Sequence, residues 1–157
     1  VYTLVSSHVP FEVIPEYLPD WELLGDGRIF AEGYLQRFEN NWLSGQEYPE
    51  GYIAGIRYAL ESIEGYLDRY VADDALAVII GDHQPRIPIS ERSSTYSVPV
   101  HFLSRRPELL KRLPDDFLSS SFVPKETAAE HPDMAELAFL LRDLVRGRGG
   151  ANEPRVF

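Results

Sequence analysis

Two adjacent residues, Asp82 and His83, are the side chains of this sequence best suited to carry chemistry. They follow Gly81 and an unbroken apolar run at residues 75–80. A run of this type after a long helical pattern predicts a central strand of a parallel sheet that is covered on both faces. In open α/β sheets, ligands bind just beyond the carboxyl ends of such strands. A carboxylate oxygen and an imidazole nitrogen that converge there are a natural pair of ligands for Zn²⁺ or Mn²⁺.

The convergence depends on Gly81, because successive strand residues point to opposite faces of a sheet. A glycine frees the backbone from the extended conformation, so we expect it to turn both side chains toward one point. A simpler interpretation stays open. Gly-Asp after a strand is also an ordinary turn or the N-cap of a helix, and in that case Asp82 and His83 bind nothing.

Another histidine, His8, also follows a strand-like run. Residues 1–5 form a short β-type pattern that ends before the turn fixed by Pro10. His8 is therefore a second candidate at a strand end, or alternatively a loop histidine that bonds to nearby backbone. His101 alternates with apolar neighbours in a later strand-like run, and we predict a structural role for it.

A polar loop at residues 86–95 follows soon after the Asp82–His83 pair. A loop of this length beside a site can line it, and Arg86, Arg92 and Ser94 are candidates to contact an anion. The simpler interpretation is that all three side chains are solvated.

Composition excludes several classes of function. The chain has 15 Lys and Arg against 25 Asp and Glu, with a net charge of −10, whereas binding to nucleic acid needs clustered basic side chains. The sequence contains no Cys, so disulfides, thiolate metal sites and cysteine nucleophiles are excluded. No apolar run approaches the roughly 20 residues of a membrane helix, and we expect no membrane contact by this segment itself.

The clearest predicted element is a helix from Pro49 to Val71, where apolar residues recur at steps of three and four. The strand at 76–80 follows it, and we expect the run at 1–5 to be the other strand of a βαβ unit. The sequence starts inside this strand-like run, without Met or a signal peptide, so we expect the chain to belong to a longer protein.

Weaker patterns complete the expected architecture, which is an α/β fold with a mainly parallel sheet flanked by helices. We predict one α/β domain at residues 1–146 and a flexible tail at 147–157. The remaining predicted elements are a helical turn at 20–24, helices at 28–44, 107–113 and 133–145, and an edge strand at 96–103 that contains Pro99.

The order of these features resembles a known family. A strand leads into Ser-Ser-His-Val-Pro-Phe at residues 6–11, and a Tyr- and Leu-rich helix follows. A buried strand then ends in Gly-Asp-His, and a loop leads to Val-Pro-Val at residues 98–100. This order is similar to the C-terminal half of the alkaline phosphatase/sulfatase superfamily. It is most similar to the sulfatase-like branch of lipoteichoic acid synthases and phosphoglycerol or phosphoethanolamine transferases. The resemblance covers about residues 1–110 and implies part of an alkaline-phosphatase-like sandwich.

The resemblance implies roles for individual residues. Asp82 and His83 resemble the family's metal ligands, and His8 resembles its substrate-contacting histidine. The metal implied is divalent (Mn, Zn, Mg or Ca), the substrate is a phosphate or sulfate ester, and the location is the extracytoplasmic face of a membrane. The family places its nucleophile and a further acidic ligand in an N-terminal half, which we expect upstream of Val1. We therefore predict that the isolated chain has no catalytic nucleophile and turns over no substrate.

Two other functions stay open. The chain is alternatively a non-catalytic binding or assembly module with a sulfatase-like fold, or an unrelated α/β domain in which Gly-Asp-His is only a turn. Half of a large sheet would expose an edge and an apolar face. We expect the isolated chain either to self-associate or to cover this surface with the helices at 28–44 and 133–145.

Overall fold

A computed structural model defines the architecture. The structure describes residues 1–8, 14–30, 48–85, 96–115 and 133–146. The chain divides into two compact units, residues 1–71 with 85–94, and residues 72–84 with 95–157. The elements in chain order are 3-10 helices at Trp21–Leu24 and Arg28–Phe30, α1 at Tyr48–Tyr70, β1 at Ala77–Ile80, β2 at Val100–Leu103, α2 at Pro107–Leu110 and α3 at Met134–Val145.

Helix α1 is the main element of the first unit, and it confirms the predicted helix to within a residue at each end. Pro49 lies in the first turn, where its missing N–H is not needed. Glu50 in the first turn and Arg69 in the last turn both complement the helix dipole.

The buried side of α1 differs from the predicted one. We expected the large apolar residues to face the core, but Ile53 and Leu60 are exposed. The buried positions carry small residues instead, and these are Gly51, Gly55, Ala59 and Gly65. The predicted apolar face is thus confirmed at Ala59, which is buried, and wrong at Ile53 and Leu60.

Close approach of the preceding chain explains the small residues. A Cβ atom on Gly55 would collide with the carbonyl of Ser6, and one on Gly65 would collide with the hydroxyl of Tyr17. Ser6 and Tyr17 thus occupy space that larger helix residues would fill. Glycine is required at position 55, because the Ser6 backbone packs directly on the helix there, whereas at position 65 the neighbour is the end of the Tyr17 side chain.

Residues 1–5 do not form the predicted strand. A strand needs a neighbour to complete its hydrogen bonds, and no described strand pairs with this segment. It is held by side chains instead. The ring of Tyr2 lies 5.4 Å from the ring of Tyr66, centroid to centroid, and a turn is closed by the His8 N–H, which donates to the carbonyl of Val5 at 3.0 Å.

The predicted helical turn at 20–24 is confirmed as a 3-10 helix at Trp21–Leu24. The Asp20 carboxylate accepts a hydrogen bond from the Glu22 N–H at 3.1 Å, which caps the first turn. Gly25 and Gly27 follow with φ of 38° and 82°, and only glycine adopts this region without strain.

The second unit contains an antiparallel pair, β1 and β2, in the register Ala77↔Leu103 to Ile80↔Val100. The general α/β class is confirmed, but the observed pairing is not parallel as predicted. A parallel neighbour needs a crossover connection, whereas a loop suffices to return the chain beside β1 in the opposite direction. The predicted strand at 96–103 shortens to Val100–Leu103, because Pro99 has no N–H to donate.

Helix α3 belongs to the same core as β2 side chains and confirms the predicted helix at 133–145. Asp133 caps it: its carboxylate accepts from the Glu136 N–H, and the Glu136 carboxylate accepts from the Asp133 N–H. The core consists of leucines from α3 and from residue 113, with β2 side chains against them. Its members are Leu113, Leu137, Leu140 and Leu144, packed by Leu76, Val100, Phe102, Leu110 and Leu141.

The strand β1 is less covered than predicted, since its residues are half-buried and Ile80 is exposed. Several sequence-based predictions fall outside the described residues. These are most of the helix at 28–44, the candidate residues Arg86, Arg92 and Ser94, and the tail at 147–157.

Candidate metal site

Gly81 sets the position of the candidate ligands at the end of β1. Its N–H donates to the Pro99 carbonyl at 3.0 Å, which extends the pairing one residue beyond the strand. A Cβ atom at Gly81 would lie 3.2 Å from Cδ of Pro99 and 3.4 Å from Cβ of Val98. Gly81 does not adopt a left-handed backbone. Pro99 therefore packs closely on Gly81, whose backbone lies outside the left-handed region that favours glycine.

Asp82 and His83 point to the same side once the chain has left the strand. Oδ2 of Asp82 lies 3.5 Å from Nε2 of His83, with side chains 86% and 62% exposed. The other carboxylate oxygen, Oδ1, accepts a hydrogen bond from the His83 backbone N–H at 2.9 Å. The two side chains thus converge as the sequence predicted, in a position open to solvent.

The ring of His83 lies between two oxygen acceptors. Nδ1 lies 2.8 Å from the Gln84 carbonyl oxygen, and Nε2 lies 3.5 Å from Oδ2 of Asp82. A proton on either ring nitrogen therefore faces an acceptor, and a metal at Nε2 requires the proton to be on Nδ1. Metal-binding histidines are commonly held in this way, with the second ring nitrogen donating to a backbone carbonyl.

The pair fits a divalent cation. A carboxylate oxygen and, when it carries no proton, Nε2 both present lone pairs, so a cation bound between them would be favourable. Ligand distances of about 2.0–2.2 Å at a tetrahedral angle place two such ligands roughly 3.4 Å apart, and the observed separation is 3.5 Å. Oxygen and imidazole nitrogen together suit Zn²⁺ or Mn²⁺ better than Ca²⁺.

The two residues supply only part of a coordination shell. Within the described ranges, no group of three or more His, Asp or Glu side chains is placed to hold a metal ion. The remaining positions of a cation at Asp82 and His83 would belong to water, substrate or residues from elsewhere.

His8 and His101 are the other candidate residues that the structure describes. His8 belongs to the first unit, whereas Asp82 and His83 belong to the second. His101 is half-buried on β2, opposite Ile79. Arg86, Arg92 and Ser94 are outside the described residues, so their predicted contact with an anion stays a prediction.

No family model, curated protein or solved structure matches the chain. The likeness to the sulfatase-like branch therefore depends on the motif residues of this sequence. In the part of the chain that the structure describes, no helix is both long enough and apolar enough to cross a bilayer.

Sequence reasoning missed the contribution of Gln84. Its backbone carbonyl lies beside Nδ1 of His83, and its side-chain amide donates to the carbonyl of Ser97. One signal was present in the sequence, because Gln84 precedes Pro85 and a residue before proline is restricted to extended conformations. That restriction limits the directions in which the Gln84 carbonyl can point.

Proposed function

We propose that this chain is the C-terminal part of a metal-dependent phosphoryl or sulfuryl hydrolase or transferase, and that Asp82 and His83 are two of its metal ligands. The observation that carries the proposal is the 3.5 Å separation of Oδ2 and Nε2 beyond the end of β1. The order of the Ser-His-Val-Pro-Phe and Gly-Asp-His motifs supports the choice of reaction.

Each residue has a distinct role in this proposal. A bound divalent metal would favour the deprotonated form of a nearby nucleophile and neutralise charge on the transferred group. Asp82 contributes a negative charge, and His83 contributes the Nε2 lone pair. His8 bonds the transferred group or protonates the leaving oxygen, and Arg86 and Arg92 bind the oxygens of the phosphate or sulfate ester.

The nucleophile and a further acidic ligand are assigned to an upstream half, as in the family that the motifs resemble. In the complete protein, we place β1 in a larger, mainly parallel sheet of an alkaline-phosphatase-like sandwich. A two-stranded pair is at best marginally stable by itself, and the only described neighbour of β1 is β2. Further strands along the open edge of β1 would complete this sheet and bury Ile80.

A non-catalytic assembly module is the second candidate. The exposed apolar side chains of α1 favour it, because exposed apolar patches commonly mark contact surfaces. These side chains belong to a shallow groove of about 360 Å³. Its lining residues are Tyr52, Ile53, Ile56, Arg57, Leu60, Glu61 and Glu64.

Calorimetric titration of the chain with Mn²⁺ and Zn²⁺ tests the metal-binding proposal. We expect a dissociation constant of about 1 mM or lower, and loss of binding in His83→Ala. His8→Ala is the matched control, since it removes a histidine that is not assigned to the metal. Absence of binding, or equal binding by His83→Ala, would contradict the proposal. Turnover of a generic phosphodiester by the isolated chain would contradict the assignment of the nucleophile to an upstream half.

A further inference from the structure

The apolar residues along one side of α1 recur with the seven-residue period of helices that pack as coiled coils. In such a repeat, written abcdefg, positions a and d contact the partner helix. In α1 these positions are Ile53, Ile56, Leu60, Ile63, Leu67 and Tyr70. None of these side chains is buried: Ile53 is 65% exposed, Leu60 37% and Tyr70 60%, and the others are half-buried. This stripe is therefore a surface that a second helix can cover.

Two charged side chains of opposite sign flank the stripe on the same edge. Arg57 and Glu64 each follow a d residue, at position e, and both are exposed. Arg57 also lies 3.4 Å from Glu61 of its own helix, from Nε to Oε1, and a guanidinium has further N–H donors for a second carboxylate. Charges at positions e and g determine which helices pair and in which direction. Arg57 and Glu64 thus restrict the partners that fit this stripe.

The geometry points to a second copy of this chain as the partner, with its α1 packed antiparallel along the stripe. In an antiparallel pair with two-fold symmetry, the e edge of one helix faces the e edge of the other. The register that packs Leu60 against Ile63 of the second copy also places Arg57 against Glu64 of the second copy, once on each side of the axis. A shift by one heptad would bring Arg57 against Arg57, or Glu64 against Glu64. The apolar and charged residues therefore agree on one register.

A parallel pair would leave the same charges unmatched. In that arrangement an e position faces a g position. The g positions of α1 are Tyr52, Ala59 and Tyr66, which carry no charge at neutral pH. Ala59 is also buried within the monomer. The antiparallel direction is thus the one that the charges favour.

The inference rests on the second candidate function, the assembly module, and names its partner. It does not involve Asp82 or His83. Metal binding and self-association are therefore measured separately, and either can fail while the other stands.

Sedimentation equilibrium of the whole chain without metal measures the association. We expect a reversible dimer between about 10 and 500 µM protein, because a single helix pair forms a small interface. Leu60→Lys places an unpaired charge in the central layers and keeps a good helix former, so it should weaken the dimer at least about tenfold. Leu23→Lys is the matched control. Leu23 is 57% exposed on the 3-10 helix at Trp21–Leu24, outside the stripe, and its replacement should leave the dimer unchanged.

Charge reversal tests the register. Arg57→Glu and Glu64→Arg each bring like charges together twice across the axis, so each should weaken the dimer by roughly tenfold. The double variant exchanges the two charges and should recover the wild-type affinity to within about threefold. Glu22→Arg is the control, because it makes the same change in net charge as Glu64→Arg at an exposed residue outside α1. Circular dichroism checks that each variant keeps its helix content.

Spin labels test the direction of pairing. The sequence contains no Cys, so Glu50→Cys and Glu61→Cys each carry one label without background. In the antiparallel register, position 61 lies beside the two-fold axis, whereas the two copies of position 50 are about 30 Å apart along the helices, at a rise of 1.5 Å per residue. A parallel pair would give similar separations at both positions. Pulsed electron paramagnetic resonance measures the two distances.

The inference is supported if Leu60→Lys dissociates the dimer, the double reversal restores it and the labels at position 50 are the farther apart. A wild type that stays monomeric over the whole range overturns it, and the stripe then belongs to a different partner. A dimer that Leu60→Lys leaves intact also overturns it, because the interface then lies elsewhere. If Leu60→Lys dissociates the dimer but the double reversal does not restore it, the antiparallel pairing is wrong and the assembly module stands.

Discussion

Oδ2 of Asp82 lies 3.5 Å from Nε2 of His83, although the two residues are neighbours in the chain and follow directly after a strand. In an extended backbone they would point to opposite faces. The chain has left the strand pair at this point, since the last ladder bond is the one from Gly81 to Pro99. Even as an ion pair, such exposed side chains contribute only about 0–1 kcal/mol to stability. The arrangement is therefore of little use to folding and is available for binding.

Asp82→Asn should separate the role of Asp82 in metal binding from its role in stability. The substitution keeps the shape of the side chain and removes its charge, so we expect the affinity for Mn²⁺ to fall at least about tenfold. The free energy of unfolding should change by less than about 1 kcal/mol, because the pair is exposed. Electron paramagnetic resonance of free Mn²⁺ measures the first quantity, and urea unfolding measures the second.

Asp26→Asn is the control for Asp82→Asn. Asp26 is an exposed aspartate of the first unit, and Arg28 lies 2.7 Å from its Oδ2. Its replacement should leave the affinity for Mn²⁺ unchanged. An equal loss of affinity in the two variants would mean that the cation is held by the overall negative charge of the chain, and the assignment of Asp82 as a ligand would be wrong.

The approach of the two candidate ligands could be predicted because they are consecutive residues directly after a strand-like run. An apolar run ends at Ile80, a glycine follows, and the two polar residues come next. The role of Gln84 could not be predicted in the same way. Its bond to Ser97 depends on how β1 and β2 pair, and that register is set by contacts between distant residues.

The difference between local features and contacts of distant residues also separates the correct predictions of the fold from the incorrect ones. Helices α1 and α3 could be predicted from periodicity and from the cap at Asp133, which are local features. The direction of pairing of β1 and the buried side of α1 depend on which segments approach them. The glycines at 55 and 65 hinted at a close neighbour, but the apolar residues between them dominated the helical pattern.

Gly81→Ala should destabilise the second unit. The added Cβ atom would lie 3.2 Å from Cδ of Pro99, whose ring cannot rotate away. Overpacking costs about 1–3 kcal/mol, whereas replacing glycine by alanine gains only about 0.4–1 kcal/mol through the unfolded state. The clash is the larger effect, so we expect a net loss of about 1 kcal/mol in the free energy of unfolding, measured in urea.

A double-mutant cycle with Pro99→Ala tests the cause of that loss. Removal of the proline ring should relieve the clash, so the cost of Gly81→Ala should shrink in the Pro99→Ala background. An undiminished cost in that background would show that Gly81 is needed for its backbone conformation instead, as the sequence alone suggested.

Leu140→Ala should destabilise the core of the second unit much more than its neighbour Phe139→Ala. Leu140 is 8% exposed and belongs to the leucine cluster, while Phe139 is 56% exposed. Truncation of a buried leucine costs about 2–5 kcal/mol because a cavity remains. Phe139 packs against the Arg142 guanidinium at 4.9 Å, and such an exposed contact is worth about 0.5–1 kcal/mol. Denaturant unfolding measures the free energy of unfolding of both variants, and similar losses would contradict the assignment of Leu140, and not Phe139, to the core.

Tyr2→Phe should lower the pKa of Tyr66. The Tyr66 hydroxyl donates to the Tyr2 oxygen at 3.3 Å, and this bond, together with slight desolvation, raises the pKa of Tyr66 above its ordinary value of 10.0. The bond must break before the phenol ionises, so its contribution to stability is present at neutral pH and is lost as the pH rises through the raised pKa.

NMR titration of the Tyr66 ring carbon beside the hydroxyl measures this change. Phenylalanine at position 2 keeps the ring contact and removes the acceptor, so the pKa should return toward its ordinary value. Tyr70→Phe is the matched control, because the Tyr70 ring also lies near Tyr66, at 5.7 Å between centroids, while the bond to Tyr2 stays intact. An equal shift in the two variants would mean that loss of either neighbouring hydroxyl is sufficient, and that the hydrogen bond to Tyr2 has no special effect on the ionisation of Tyr66. The aromatic contact of Tyr2 and the close approach at Gly55 would then be the features that hold the start of the chain on α1.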